Sequence, residues 1–140
     1  MKTAGLANKP FYIQLSWNAL HAAELANKAT LAKYEKLATN NAKQAATAAI
    51  TEDLDSGVGR VLEAVERLGL RENTYIIYMS DNGSGGGGRR GGLSGGKGSV
   101  WEGGIRVPLI ARGPGVAANS WCDVPVVGYD WLPTFCAMAG

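Results

Sequence analysis

Half of the 20 glycines in this chain fall between Gly83 and Gly98. A stretch so dense in glycine is neither a stable helix nor a stable strand, but its backbone can approach a ligand or another segment closely. Directly before it stands Thr74-Tyr75-Ile76-Ile77-Tyr78-Met79, a β-branched, aromatic and apolar run that predicts a buried strand. The junction is Ser80-Asp81-Asn82-Gly83. A loop over about residues 81–104 is therefore expected to hang from the carboxyl end of a strand, where open α/β sheets bind ligands. Asp81 offers a carboxylate and Asn82 an amide carbonyl, the hard oxygen donors that Ca²⁺ or Mg²⁺ prefers. Lys97 adds a cation on the same loop, and a metal facing a cation suggests an anionic substrate. A plain turn is the competing reading, because Asp and Asn cap turns and Gly supplies positive φ. Residues 81–83 alone favour the turn.

Earlier in the chain, residues 10–17 (Pro-Phe-Tyr-Ile-Gln-Leu-Ser-Trp) predict a strand rich in aromatic and apolar side chains. His21, the single histidine, follows a few residues later, in the same kind of place as Asp81. A surface helix is expected over about 30–38, with Lys28, Lys33 and Lys36 solvated. From about 42 to 68, Ile50, Leu54, Val58, Val61, Leu62, Val65 and Leu68 recur every three to four residues and predict the main helix. Glu52, Asp53, Asp55, Glu63 and Glu66 lie off that stripe and read as a solvated face. Gly69 is placed for a left-handed cap. Residues 103–111 predict a further strand, with Pro108 marking an edge or bulge. A short strand at 125–127 and a helix over 129–139, with Asp130 near its start, complete the reading. Strand–helix alternation gives an α/β fold class, a largely parallel sheet flanked by helices.

A length of 140 residues predicts one domain, 1–140. A net charge of +2 is too small to argue for nucleic acid or a membrane surface. Cys122 and Cys136 match no zinc spacing; they read either as a pair or as buried thiols. No apolar run reaches the roughly 18 residues of a membrane helix. The first residues lack the apolar core of a signal peptide, so the sequence carries no address.

Gly91-Gly92-Leu93-Ser94-Gly95-Gly96-Lys97-Gly98 nearly spells a P-loop. Gly98 stands where that motif needs a hydroxyl, and residues 100–104 do not read as the start of a helix. A longer series is more specific. Glu52-Asp53-Leu54-Asp55-Ser56-Gly57-Val58-Gly59-Arg60 leads to Leu68-Gly69-Leu70-Arg71-Glu72-Asn73-Thr74 and Ser80-Asp81-Asn82-Gly83. Gly95-Gly96-Lys97-Gly98-Ser99-Val100-Trp101-Glu102-Gly103-Gly104-Ile105-Arg106-Val107-Pro108 and Tyr129-Asp130-Trp131-Leu132-Pro133-Thr134 follow. In order and spacing the series resembles the sulfatases, sulfate-ester hydrolases of the alkaline phosphatase superfamily, over nearly the whole chain.

The resemblance implies a partial alkaline-phosphatase-like domain. It implies that Asp81 and Asn82 are metal ligands, for calcium as a rule with Mg²⁺ as the alternative, and that His21 and Lys97 contact sulfate. Glu102, Arg106 and Asp130 fall on family positions read as support. Ser94 departs from the family, which often has arginine there; Arg89 or Arg90 is the candidate substitute. Sulfatases form their nucleophile, a formylglycine, from a C-x-P-x-R motif. Neither Cys122-Asp123-Val124-Pro125 nor Cys136-Ala137-Met138-Ala139 fits it. The 140 residues therefore read as the middle-to-later part of a catalytic domain, inactive alone. The implied substrate is a sulfate-ester small molecule or sulfated glycan, with self-association through an open sheet edge. A phosphodiesterase or phosphonate hydrolase of the same superfamily, and a non-catalytic anion-binding module, are the alternatives. The Glu-Gly-Gly-Ile-Arg-Val-Pro stretch favours a sulfatase over the first.

Overall fold

The computed structural model describes residues 9–21, 25–37, 41–85 and 91–140. The chain divides into two compact units, one running to Leu70 and the other from Arg71 to Met138.

The first unit is a helical hairpin. Helix α1 (Lys28–Leu37) packs against α2 (Ala42–Arg67). The sequence predicted α1 to within two residues at its start; Ala38, its expected end, lies outside the described residues. Asn41 caps α2, its side chain accepting the Gln44 N–H at 3.0 Å. At the other end Gly69 has φ 66°. Leu70 N–H donates to the Val65 carbonyl at 3.0 Å and Gly69 N–H to that of Glu66 at 2.9 Å, the paired bonds of a Schellman cap. The most buried side chains are Ala45 and Ala49, followed by Val65 and Ile50. Leu54, Val58, Val61, Leu62 and Leu68 of the expected stripe are only half-buried.

Asp55, Glu63 and Glu66 of α2 are exposed as periodicity suggested, but Glu52 and Asp53 are not a solvated face. Asp53 accepts the Asn27 N–H at 2.6 Å and the Thr30 hydroxyl at 2.7 Å. It thereby satisfies a donor at the start of α1, where negative charge is also favoured. Glu52 accepts from Lys33 and from the Tyr34 hydroxyl. The Asn27 backbone N–H, aided by the Asn27 and Thr30 side chains, holds the Asp53 carboxyl below its ordinary range. Lys33, then Tyr34, lowers Glu52, which raises both partners in return.

Residues 10–17 form no strand among the described residues, contrary to expectation. They are nonetheless extended: Tyr12 donates to Gln14 and Gln14 to Ser16, each at 3.2 Å, so alternate side chains share a face. The Trp17 indole lies over α2, with Cζ2 3.5 Å from where a Cβ on Gly57 would stand. Extension is a local preference, whereas a strand needs a ladder partner.

The second unit holds β1 (Ile76–Met79) and β2 (Leu109–Arg112), paired antiparallel with Ile76 opposite Arg112 and Met79 opposite Leu109. The largely parallel sheet expected from the sequence is not found among the described residues, where this pair is the sheet. A parallel pair needs a long crossover, usually a helix, and the connection here is the glycine loop. β1 is half-buried rather than buried, and β2 begins directly after Pro108. Residues 103–105, expected as the start of a strand, belong instead to a single helical turn, α3 (Glu102–Ile105). The P-loop reading thus fails at Gly98 and on the four-residue length of that turn, not for want of helix. Residues 125–127 are irregular and exposed. A 3₁₀ turn (Gly128–Asp130) leads into α4 (Trp131–Ala139), where Trp131 and Phe135 stack at 5.6 Å. Cys122 and Cys136 are free and exposed, neither paired nor buried. Among the described residues no helix is long and apolar enough to cross a membrane.

Asp53 and Glu52 contribute stability above their unfolded pKa values, and that contribution is lost as pH falls through the lower folded values. The melting temperature of the hairpin, followed by far-UV circular dichroism, is expected to drop below about pH 4. Asp53→Ala should lower it at neutral pH and flatten this acid limb. An acid limb identical in the variant would show that Asp53 is not held by α1.

Candidate functional site

The loop after β1 is closed by its own main chain. Ser80 donates to the Asn82 carbonyl at 3.1 Å, bending the chain at the candidate metal pair. Gly83 N–H then donates to Gly104 O at 2.9 Å, Lys97 N–H to Ser84 O at 2.9 Å, and Gly103 N–H to Ser94 O at 2.8 Å. Three stretches separated in sequence, 82–84, 94–97 and 103–104, are thereby sewn into one body.

Glycine is required there for space. A Cβ on Gly83 would overlap the Gly103 carbonyl and stand 2.8 Å from Gly104 Cα. One on Gly103 would stand 2.7 Å from Ser94 O, and one on Gly104 would overlap Ser99 O. All three glycines are buried, in a chain with few buried residues. Gly98 is needed instead for its backbone, with φ 85° in the left-handed region.

A tight turn presents Lys97. Ser99 N–H and its hydroxyl both donate to Gly96 O, at 3.0 and 2.8 Å, and Gly96 N–H donates to Ser99 Oγ at 3.1 Å. The sequence reading passed over Ser99; its position after Gly-Lys-Gly, where a hydroxyl can close a turn, was the available signal. The exit from the loop is fixed by α3, where Arg106 Nη1 donates to Glu102 Oε2 at 2.9 Å. Farther on, Asp130 Oδ2 accepts the Val127 N–H at 2.8 Å and starts the last helix. Glu102, Arg106 and Asp130 thus make local supporting contacts.

Asp81 is exposed, Asn82 half-buried and Lys97 exposed. The Lys97–Ser84 bond sets the backbone of the cation beside the residue two positions after Asn82. These three predicted site residues therefore share one hydrogen-bonded loop. His21 belongs to the other unit; it is exposed and closes a turn through its N–H to Asn18 O at 2.8 Å. Arg89 and Arg90 lie outside the described residues. The donor set suits a hard cation, but two oxygens are a fraction of the six to eight that Ca²⁺ takes. Among the described residues no three or more of His, Cys, Asp and Glu gather as a metal cluster.

Comparison with known proteins decides the family. The family model described as sulfatase matches residues 3–140. The chain belongs to the sulfatase family. It is 34% identical to the steryl-sulfatase of Rattus norvegicus over 94% of this chain and 23% of that protein. It is 36% identical to a sulfatase of Formosa agariphila over 100% of this chain and 28% of that one. Among solved structures, Ps i-CgsB in complex with k-i-k-neocarrahexaose superposes with a TM-score of 0.89 at 34% identity, over 98% of this chain and 31% of that one. The chain thus spans about a quarter of these sulfatase sequences and under a third of the solved chain.

If space is what the loop requires of glycine, two glycines should respond oppositely to a methyl group. Gly83→Ala is expected to destabilise by about 1–3 kcal/mol or more through overpacking. Gly59→Ala, with nothing within 4 Å on helix α2, should stabilise by up to about 1 kcal/mol. Urea midpoints read both; equal shifts in the two variants would contradict the close approach at Gly83.

Proposed function

We propose that this chain supplies the later part of a sulfatase active site, acting in a sulfuric ester hydrolase whose nucleophile comes from polypeptide outside these 140 residues. The supporting observation is the closed loop that holds Asp81, Asn82 and Lys97 together, through the Gly83–Gly104 and Lys97–Ser84 bonds. Asp81 and Asn82 take the metal-ligand role and Lys97 the sulfate-contacting role that the family assigns to these positions. His21 takes the role of the histidine beside the leaving-group oxygen.

The chemistry follows from charge. Sulfuryl transfer gathers negative charge on the sulfate oxygens and the departing oxygen, and fixed cations aimed at that charge lower the barrier. Lys97 offers a positive charge on the closed loop. His21 donates a hydrogen bond, or a proton, to the leaving oxygen. Asp81 and Asn82 would hold part of the shell of a Ca²⁺ or Mg²⁺, which would supply charge stabilisation at the sulfate. The sequence contains no C-x-P-x-R, so no formylglycine forms within it. The substrate class is a sulfate ester, on a small molecule or a glycan. Steryl-sulfatase and the oligosaccharide-bound Ps i-CgsB carry different groups in their names, and family membership therefore leaves the choice of ester open. The absence of that motif also supports a second reading, a module that binds sulfate without turning it over.

Two measurements test the assignment. The isolated chain is expected to bind Ca²⁺ weakly, at about millimolar or above, and calorimetry showing micromolar affinity that survives Asp81→Ala would remove the metal role. The isolated chain should also hydrolyse no aryl sulfate. Combined with a matured formylglycine segment it should do so, and Lys97→Ala should then cost about 10²–10³ in kcat. Failure of that combination to turn over, with sulfate binding retained, would favour the non-catalytic module. Turnover by the isolated chain that depends on Lys97 would refute the external nucleophile.

A further inference from the structure

Lys97 is joined to Gly96 by a peptide unit whose two polar groups are both held. The Gly96 carbonyl accepts twice from Ser99, from its N–H at 3.0 Å and from its hydroxyl at 2.8 Å. On the other edge of the same unit the Lys97 N–H donates to Ser84 O at 2.9 Å. A peptide unit is planar, so a bond on each edge fixes the orientation of the plane. The Lys97 Cα stands at the corner of that plane, and its side chain departs from there. Ser99 holds the preceding unit too, because its Oγ accepts the Gly96 N–H at 3.1 Å. Gly98, the third residue of the turn, has φ 85°, as a type II corner with Lys97 second requires.

The loop also keeps room for this hydroxyl. A Cβ on Gly95 would overlap Ser99 Oγ, and one on Gly104 would stand 2.9 Å from it. Two glycines thus leave free the place that the hydroxyl fills. Ser99 and Gly96 are half-buried, whereas Lys97 is exposed. The hydroxyl is an internal tie, and the lysine is what the corner presents.

We infer that Ser99 is a positioning residue of the sulfate site, its hydroxyl aiming Lys97 through the Gly96–Lys97 peptide. The inference rests on the sulfate-contacting role proposed for Lys97 and extends it. Ser99 itself meets no ligand. Its effect passes through the lysine, because charge stabilisation depends on a cation held where the charge develops. A misplacement of about 1 Å can cost roughly 10²-fold in rate. Alanine at position 99 removes one donor to Gly96 O and leaves the Gly96 N–H without its acceptor. Threonine keeps the hydroxyl and can make both bonds.

Hydrogen exchange on the 140-residue chain tests the tie without any reaction. Ser99→Ala is expected to speed exchange of the Gly96, Lys97 and Ser99 amides about tenfold or more. The Gly83 and Gly103 amides and the helical circular dichroism should be unchanged, and Ser99→Thr should match the native chain. Lys97 exchange indifferent to Ser99→Ala overturns the inference. So does equal acceleration at Gly83 and Gly103, which would make Ser99 a support of the whole loop. The chain combined with a matured formylglycine segment tests the consequence. There Ser99→Ala should lower kcat about tenfold and Ser99→Thr restore it. In a Lys97→Ala background Ser99→Ala should cost nothing further, and an equal cost in both backgrounds overturns the inference. A costly Lys97→Ala beside a silent Ser99→Ala overturns the inference alone. A silent Lys97→Ala removes the sulfate role of Lys97, and the role of Ser99 with it. Should the combination bind sulfate without turnover, the same cycle run on the Kd of sodium sulfate carries the same outcomes.

Discussion

The second unit depends on backbone meeting backbone at Gly83, Gly103 and Gly104. Removing the side chains there lets the strand end, the lysine turn and the entry to α3 share main-chain hydrogen bonds. A buried amide without a partner costs about as much as a hydrogen bond is worth, and each of these amides has its partner inside the loop. The result is a rigid mount for Asp81, Asn82 and Lys97 that draws little on a hydrophobic core. High glycine content elsewhere signals disorder; here the buried glycines are the points of closest contact.

The first unit solves a different problem with different means. Its most buried residues are alanines, which let α1 and α2 approach but bury little apolar area each. Specificity of the pairing then falls to Asp53 and Glu52, which tie α2 to the start and middle of α1. Such contacts at an exposed seam are individually weak. They are directional, however, and Asp53 answers a helix-start donor that would otherwise be left to water.

What was legible in the sequence was whatever short-range rules decide. The span of α2, the Gly69 cap, the helix at the end and the glycine-rich loop could all be read because capping, periodicity and glycine's steric freedom act within a few residues. The roles of Asp53 and Glu52 were not legible, since their partners sit on another helix and periodicity sees one helix at a time. The largely parallel sheet is not found among the described residues for a related reason. Strand–helix alternation implies a crossover only when the helix lies between the paired strands, and α2 precedes both β1 and β2. For residues 11–17 the extended conformation was readable and the ladder was not. At the candidate site, the sequence pointed to Asp81, Asn82 and Lys97 on one loop, and it missed the turn closed by Ser99 and the close contacts of Gly83, Gly103 and Gly104.

The half-burial of Leu54, Val58, Val61 and Leu62 has a consequence for how the site keeps its shape. An apolar stripe left partly in water gives up part of its hydrophobic gain, at about 25 cal/mol per Å². A site resting on such a core would loosen with it. The loop instead takes its order from hydrogen bonds between residues 80 and 106. Its geometry is therefore set locally, whatever covers the helices. Within the loop, the residues proposed to meet ligands are placed by short-range contacts, independently of the half-buried stripe of the helical hairpin.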